Sequence, residues 1–339
     1  MSKQQILARN LFIATIIIFA VLVVIFLTVF IIDLIKKKKS ETKYHLKESL
    51  LAFSLMLPAV IIAFFIVVLP IVFSLGYAFT DFQYEPQSLT NIQFVGFAQF
   101  QEIFKDLQNK DGPLYHSLIN TALFVVLVVP LQITLALLLA LFCNNKRRGT
   151  TIFKVCFFAP VAVSLSVTSF LWLIILSPAK DGIMNSILGQ FGIAPQAFLM
   201  DEGTVVIWMV IISAWQGCGY QMLIFLSALG NIRKDLYEAA SIDGANVFQR
   251  FFTITLPGLR PTLLYILITV FIGACRVMVQ PMLLAKNNIY AMTMSYFMYQ
   301  KGKTEHLIAY SCAVALLLTL FIGSITLLQR KLLGEKKNG

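Results

Sequence analysis

Seven separate runs of apolar residues, each long enough to cross a lipid bilayer, dominate this 339-residue sequence. A membrane-spanning helix needs about 20 predominantly apolar residues. Charged residues make up 13% of the chain, about half the share found in soluble domains. The sequence therefore predicts an all-α integral membrane protein with seven transmembrane helices, not a soluble enzyme, a disordered chain or a disulfide-built secreted domain. The runs cover residues 11–32, 51–79, 118–142, 152–176, 205–229, 262–284 and 307–328.

Two of these runs need comment. The first is too long for a signal peptide, lacks a small-residue cleavage site and precedes four lysines at 36–39, so we expect it to be a retained span. The second is long and contains Pro58 and Pro70, which predicts a tilt, a kink or an interfacial end.

The basic residues are clustered between the runs, which indicates membrane topology and not nucleic-acid binding, although the net charge is +11. Lysine and arginine concentrate in cytoplasmic loops. Clusters at 36–47, 146–154, 233–260 and 330–337 place the N-terminus outside and the C-terminus inside. The loop after the sixth run is an exception, because Lys286, Lys301 and Lys303 are then outside.

Two loops are too long to be simple connectors: residues 80–117, predicted outside, and residues 230–261, predicted inside. The inner loop reads as two short helices around a turn at Asp243–Gly244. Phe248, Phe252 and Thr255 recur at helical spacing, and Pro257 is expected to break the second helix just before the next span. Physical chemistry alone also allows an interfacial amphipathic hairpin with no partner.

The inner loop contains an ordered pattern, Glu238-Ala239-Ala240, Asp243-Gly244-Ala245 and Leu256-Pro257. It resembles the EAA loop of permease subunits of binding-protein-dependent ABC importers. The resemblance implies that the segment around Glu238 is a coupling helix that docks into a cleft on a separate ATPase subunit, with Gly244 making the turn. The implied coupling residues are Glu238, Ala239, Ala240, Asp243, Gly244, Leu256 and Pro257.

The resemblance extends over about residues 50–330. It includes Gly182, Asn185, Leu188 and Gly192 after the fourth run, and two further segments, Phe94-Val95-Gly96-Phe97 and Tyr310-Ser311, resemble the carbohydrate branch. The form ITLPGLRPT is closer to the first of the two permeases of such systems. Sugar permeases of this type usually carry a Thr and a Gly-Gly-Pro run after the sixth span, where this chain has residues 285–288 as AKNN, so the outer gate differs.

The family implies a six-helix permease core preceded here by one extra N-terminal helix. We expect a helix and basic linker at 1–47, the second span and outer loop at 48–116, the core at 117–330 with the coupling loop at 231–260, and a cytoplasmic tail at 331–339. The implied partners are a second homologous permease, two ATPase subunits, an external solute-binding protein, membrane lipid and a saccharide.

No run contains a carboxylate in its interior, and no P-loop is present. Proton-coupled carriers generally hold such groups inside a span, so energy is expected from a partner ATPase that binds ATP and magnesium. The three histidines and five cysteines form no catalytic or metal-ligand pattern, and no cofactor or metal is expected in this chain. The alternatives are a secondary carrier or channel working alone, an importer permease for a non-sugar substrate, and an enzyme acting on lipid-linked sugars.

A sugar path needs hydrogen-bonding side chains inside the bundle. An arginine within a span is costly, so Arg276 is expected either to reach a membrane edge or backbone carbonyls, or to line the path and bind an anionic group. The second possibility predicts an acidic or modified saccharide. Gln132, Ser164, Ser166, Thr168 and Trp172 are weaker path candidates. The principal substrate-path candidates are Asn120, Trp215, Gln216, Tyr220, Gln221, Arg276 and Gln280.

Overall fold

The computed structural model describes residues 46–83, 92–144, 149–284 and 288–333. Apart from one isolated bridge between Thr80 and Phe94, the described residues are helices and their connections. Short π-helical turns occur at Phe64–Val68, Phe251–Thr255 and Gln300–Thr304, and a 3-10 turn at Ile289–Ala291. The α-helices are α1 (Leu46–Ala63), α2 (Leu69–Tyr77), α3 (Ala98–Gln108), α4 (Pro113–Asn144), α5 (Thr150–Ala162), α6 (Leu165–Ile175), α7 (Ile183–Gln190), α8 (Val205–Gly230), α9 (Lys234–Ile242), α10 (Val247–Arg250), α11 (Leu256–Gly258), α12 (Arg260–Cys275), α13 (Val279–Leu284), α14 (Met294–Tyr299) and α15 (Ile308–Leu333).

Among the described residues, five continuous helical stretches are long and apolar enough to cross a membrane, and they correspond to five of the seven predicted runs. The prediction of a helical, multi-pass membrane protein is therefore confirmed. The predicted run at 11–32 lies outside the described residues, so the count of seven spans stays a prediction. The five stretches are Ser54–Tyr77, Pro113–Asn144, Val205–Gly230, Arg260–Leu284 and Ile308–Leu332.

The run at 152–176 differs from the straight span that the sequence predicts. It forms two helices, α5 and α6, whose axes are bent by 101°. Pro160 removes a backbone donor near the end of α5, and Val163 then adopts an extended conformation. The Ser164 hydroxyl accepts a hydrogen bond from the backbone N–H of Val167 at 3.3 Å, which caps a new helix. This local cap allows the chain to change direction.

The prolines of the second run are accommodated without interrupting its helical path. A π-helical turn at Phe64–Val68 comes directly before α2, in whose first turn Pro70 lies. Proline is tolerated in the first turn of a helix, because the N–H that it lacks is not needed there. The irregularity that the sequence predicts is therefore a π turn.

The described residues divide into two compact units. One contains the described residues up to Phe104 together with Tyr299–Leu316. In it the ring of Phe79, just beyond α2, packs against the rings of Phe97 and Phe100 at centroid distances of 5.5 and 5.4 Å. The backbone N–H of Val95 donates to the carbonyl of Phe79 at 3.0 Å. These contacts fold the start of α3 back onto the end of the α1–α2 helix.

The other unit contains Lys105–Met298 and the chain from Leu317, and it holds the larger core. Its central element is α8, which packs against α4, α5 and α12. Two glycines let neighbours approach this helix closely. A Cβ at Gly217 would lie 2.2 Å from Nε2 of Gln132, and one at Gly219 would lie 2.1 Å from the carbonyl oxygen of Phe157. Small residues at helix crossings are typical of membrane proteins.

The segment that joins α6 to α8 is ordered by one buried asparagine. The Asn185 amide donates to the carbonyls of Ser177, Ala179 and Gln196 and accepts from the Gln196 backbone N–H at 2.9 Å. Asn185 lies on α7, in the segment whose Gly182, Asn185, Leu188 and Gly192 carry the resemblance. Its amide therefore ties the two ends of this segment together.

Candidate functional site

A cavity of about 670 Å³ lies among α4, α8, α12, α13 and α14. This volume is in the range of sites for small ligands. Its walls combine apolar side chains with a set of amides and hydroxyls, and none of its lining residues is Asp, Glu or His. The polar and charged lining residues are Gln132, Ser213, Gln216, Gln221, Thr269, Arg276, Gln280 and Ser295.

The glutamines of the cavity carry polar atoms without a partner among the described residues. Gln216 donates from Nε2 to the carbonyl of Val163 at 3.1 Å, while its Oε1 is unpartnered. Oε1 of Gln221 is also unpartnered. Oε1 of Gln280 accepts from the Ser213 hydroxyl at 2.5 Å, which leaves its Nε2 unpartnered although the residue is 1% exposed. Buried polar groups without hydrogen bonds are costly. These three atoms have almost no exposed surface, so they reach a polar ligand only when their side chains turn toward the cavity.

The cavity lies at a break in the membrane-spanning stretch Arg260–Leu284. Helix α12 ends at Cys275, α13 begins at Val279, and Arg276 between them has φ −102° and ψ 9°. The break exposes carbonyls, and hydroxyls from the following segment satisfy two of them. Thr293 donates to the carbonyl of Val277 at 2.6 Å, and Ser295 to that of Cys275 at 3.3 Å. Broken helices at membrane depth are tolerated where they line a cavity, and in transporters they commonly form binding sites.

Arg276 contributes the one charged side chain of the cavity lining. Its side chain is exposed, and within the described ranges no hydrogen bond or ion pair holds its guanidinium. An arginine at the centre of a span costs about 2.5–3.5 kcal/mol on insertion scales. The lining of the cavity is thus rich in amides and carries one positive charge, with no acidic residue in the lining to compensate it.

The structure brings together four of the seven principal path candidates, Gln216, Gln221, Arg276 and Gln280, and adds Gln132. The other three lie elsewhere. The Asn120 amide donates to the carbonyls of Ile289 and Met292, both at 3.0 Å. Trp215 packs edge-on against Trp172, and Tyr220 lines a separate groove of about 480 Å³. Asn120 is a structural tie, and Trp215 and Tyr220 do not line the cavity.

Sequence reasoning missed several lining residues. Ser213 lies three residues before Gln216 on α8, so helical spacing from that glutamine was a usable signal. Thr269 is seven residues before Arg276 and offered a similar signal. Ser295 gave none, because its position depends on how the chain returns after α13.

The predicted coupling residues form a hairpin, here called the hairpin loop (residues 234–258). Gly244 follows α9 with φ +79°, a conformation that favours glycine. Asn246 begins α10 with a capping box, in which its side chain accepts from the Gln249 N–H and the Gln249 side chain accepts from the Asn246 N–H. The two short helices and the turn between them match the sequence-based expectation.

Two side-chain hydrogen bonds connect the arms of the hairpin loop. Arg250 donates from Nη1 to the Ser241 hydroxyl at 2.7 Å. The hydroxyls of Tyr237 and Thr255 lie 2.9 Å apart, and Thr255 is buried. These contacts hold α9 against the π-helical turn that leads to α11. They therefore connect α9 mechanically to α12, which follows α11 in the chain.

Pro257 does not break the second helix where the sequence predicts. The chain stays helical through Gly258, and the interruption comes at Leu259. The π-helical turn Phe251–Thr255 precedes Pro257, and the backbone N–H of Leu256 donates to the carbonyl of Phe251. Pro257 therefore lies directly after the π-helical turn, where the regular hydrogen-bond ladder is already interrupted, so the chain tolerates its missing N–H.

The hairpin loop exposes a set of large apolar side chains. Ile242 is 86% exposed, Phe248 77% and Val247 70%, and Phe252 and Leu236 are exposed as well. Of the predicted coupling residues, Glu238, Ala239, Asp243, Gly244 and Pro257 are exposed, whereas Ala240 and Leu256 are half-buried. A cluster of exposed apolar residues with a polar rim is typical of a protein interface.

A family of known proteins matches over residues 132–334, and it is described as "Binding-protein-dependent transport system inner membrane component". The match covers more than half of the chain and includes the hairpin loop and most of the lining of the cavity, all but Phe124 and Val128. The chain belongs to this family. It is therefore a membrane component of a transport system.

Individual members of the family resemble the chain over most of its length. The arabinooligosaccharides transport system permease protein AraP of Bacillus subtilis is 32% identical over 250 residues, covering 73% of this chain and 78% of its own. The probable ABC transporter permease protein YesP of the same species is 30% identical over 302 residues, covering 87% and 93%. A solved bacterial alginate ABC transporter contains a chain with a TM-score of 0.72 at 23% identity, covering 84% and 94%, which supports the fold.

Proposed function

We propose that the chain is a permease subunit of an ATP-driven importer for an oligosaccharide. One observation carries this proposal: this chain, a member of the transport family, has both an exposed apolar hairpin loop and an amide-lined cavity at a broken span. AraP, at 32% identity, is named for arabinooligosaccharide transport, which supports a carbohydrate. The chain itself performs no bond-making or bond-breaking step in this scheme.

The hairpin loop is the proposed contact with a separate ATPase subunit. Its α9 segment, from Glu238 through Gly244, enters a cleft on that subunit, and the exposed side chains of Ile242, Val247 and Phe248 supply the apolar contact. Burial of each large side chain stabilises such a contact by roughly 1.5–3 kcal/mol. ATP and magnesium bind to the ATPase, and its closure moves α9 and, through the Tyr237–Thr255 and Arg250–Ser241 contacts, α12.

The cavity is the proposed half-site for the solute. Sugar hydroxyls both donate and accept hydrogen bonds, and the unpartnered Oε1 atoms of Gln216 and Gln221 and Nε2 of Gln280 offer both kinds of partner. Gln132 and Arg276 complete the set of path residues in this proposal. A second, homologous permease provides the other half of the pathway, and an external binding protein delivers the sugar.

The orientation follows the predicted topology, with the hairpin loop and the C-terminus in the cytoplasm and the N-terminus outside. The extra helix predicted at 1–47 precedes the six-helix core. None of the cavity-lining residues is a carboxylate or histidine that couples transport to protons, which argues against a carrier working alone.

The test is co-purification of the tagged chain from its native membrane in mild detergent, followed by mass spectrometry. A second permease and an ATPase subunit are expected. Phe248→Glu places a charge in the proposed contact, so the ATPase recovered per permease should fall at least about tenfold, since one lost apolar contact of this size exceeds 1.4 kcal/mol. Phe248→Leu keeps an apolar side chain and is the control.

Two outcomes contradict the proposal. A lone oligomer without an ATPase would refute ATP-driven import. Equal ATPase recovery with Phe248→Glu and Phe248→Leu, with the second permease present in both, would refute the hairpin loop as the contact.

A further inference from the structure

Charge in the cavity is unbalanced. Arg276 is the one charged residue in its lining. Among the described residues, no carboxylate lines the cavity and no side chain or carbonyl bonds the guanidinium. A cation held at membrane depth is rare unless it is paired or functional. The structure of the break in the span shows that capping is not the reason for this arginine.

Two carbonyls at the break already have side-chain donors. Ser295 bonds the carbonyl of Cys275, and Thr293 bonds that of Val277. The end of α12 does favour a positive charge in its last turn, but the Arg276 side chain makes no hydrogen bond there within the described part of the chain. Its five N–H donors are therefore available to a ligand.

A second donor lines the same cavity. Among the described residues Nε2 of Gln280 has no partner although the residue is almost fully buried, and its Oε1 accepts from the Ser213 hydroxyl. A guanidinium forms two parallel hydrogen bonds with a carboxylate. The acceptor atoms left over, Oε1 of Gln216 and Oε1 of Gln221, are suited to sugar hydroxyls and not to an anion.

We infer that the cavity selects a saccharide that carries a carboxylate, and that Arg276 is the specificity-determining residue that binds this group. This inference rests on the proposed function, because it names the class of sugar that the importer takes. Neutral sugars of the same size leave the guanidinium unpaired in the closed pathway, and that penalty provides the discrimination.

The first measurement identifies the sugar. The complete importer is purified from its native membrane with its binding protein, and the saccharide released from it is analysed by mass spectrometry. The expected result is an oligosaccharide with at least one carboxyl group. A neutral saccharide would overturn the inference but leave the proposed function intact, whereas release of a non-sugar solute would overturn both.

The second measurement tests Arg276 with a matched pair of solutes. The released saccharide is used as it is and after chemical reduction of its carboxyl groups to alcohols, and uptake by proteoliposomes of the complete importer gives KM and kcat for each. Loss of one charge-assisted hydrogen-bonded contact corresponds to about tenfold or more. The preference of kcat/KM for the acidic form should therefore fall to about one in Arg276→Gln and be partly retained in Arg276→Lys.

Two controls separate binding from assembly. Arg330→Gln removes the same charge at the end of α15, outside the cavity lining, and should keep the preference. Recovery of the second permease is measured for every variant. An unchanged acidic preference in Arg276→Gln overturns the inference, and so does a loss of the second permease in that variant, because Arg276 then pairs with a carboxylate of the partner subunit.

Discussion

The crossing of α5 and α8 has no room for a side chain at Gly219. A Cβ there would lie 2.1 Å from the carbonyl oxygen of Phe157, 2.8 Å from its carbonyl carbon and 3.0 Å from Cα of Phe158. All three are backbone atoms of α5, so no side-chain rotation relieves the clash. Gly219→Ala must therefore push the two helices apart by roughly 1.3 Å or more to reach ordinary van der Waals distance.

The expected cost of Gly219→Ala comes from overpacking. Inserting one methyl group into a closely packed core typically costs about 1–3 kcal/mol, occasionally more. A helix interior regains up to about 1 kcal/mol on replacing glycine by alanine, which offsets a part of this. We expect a net destabilisation of about 1–2 kcal/mol.

Gly217→Ala is the matched control on the same helix. The three atoms nearest its Cβ would all belong to the Gln132 side chain, with Nε2 at 2.2 Å and the amide carbon at 2.8 Å. Gln132 can move to another rotamer, so the structure relaxes at a cost of about 0.5–1.5 kcal/mol. Because Gln132 lines the cavity, this variant should raise the KM for transport while retaining more stability than Gly219→Ala.

The assay is thermal unfolding in detergent, followed by reaction of a fluorescent maleimide with the cysteines. Cys143, Cys218 and Cys275 are buried and become reactive as the bundle opens. Wild-type stability in Gly219→Ala would refute the packing argument. Equal destabilisation by Gly217→Ala would show that Gln132 cannot yield, which contradicts the distinction between backbone and side-chain contacts.

Three further predictions concern stability and coupling. Asn120→Ala leaves the carbonyls of Ile289 and Met292 without their amide donor, so it should lower the stability of the protein by about 1–3 kcal/mol. Thermal unfolding measures this loss, and an unchanged unfolding midpoint would contradict the prediction. Gly182→Ala should be destabilising, because its Cβ would lie 2.6 Å from the Ser177 carbonyl oxygen. Gly189→Ala, whose Cβ would have nothing within 4 Å, should be neutral or slightly stabilising. The reverse order of the two thermal unfolding midpoints would contradict this prediction. Gly244→Ala forces a φ of +79° on a residue with a Cβ, which costs about 1–2 kcal/mol. Solute-stimulated ATP hydrolysis should therefore fall in this variant, while recovery of the second permease is kept. Gly244→Asn should have a milder effect on ATP hydrolysis, because asparagine tolerates a positive φ better than alanine does.

The irregularities of the spans show the limit of sequence reasoning. Pro58 and Pro70 were expected to disturb the second run, yet the helix continues through a π turn. The sharp bend comes after Pro160, where Ser164 caps a new helix. Whether a proline bends a chain depends on which neighbouring groups satisfy the freed carbonyls, and that is a property of the packed structure.

The cavity gives a second example. Gln216, Gln221, Arg276 and Gln280 were identifiable from sequence because polar residues are rare in apolar runs. The same criterion selected Asn120, which ties the Ile289–Met292 segment, and Trp215 and Tyr220, which point elsewhere. Polarity within a span indicates a need for a hydrogen-bond partner, but not whether the partner is protein or ligand.

By itself the sequence determined the helical membrane class, the position of five described spans and the hairpin loop, because apolar length and turn chemistry are local properties of the chain. Only the tertiary structure decided that α12 breaks at Arg276, that hydroxyls of Thr293 and Ser295 satisfy two of the freed carbonyls, and that Arg276, in an amide-lined cavity, has no bonded partner within the described part of the chain. These features depend on contacts between residues distant in the sequence, and the hydrogen bonds that a side chain already makes determine which of its atoms remain for a solute.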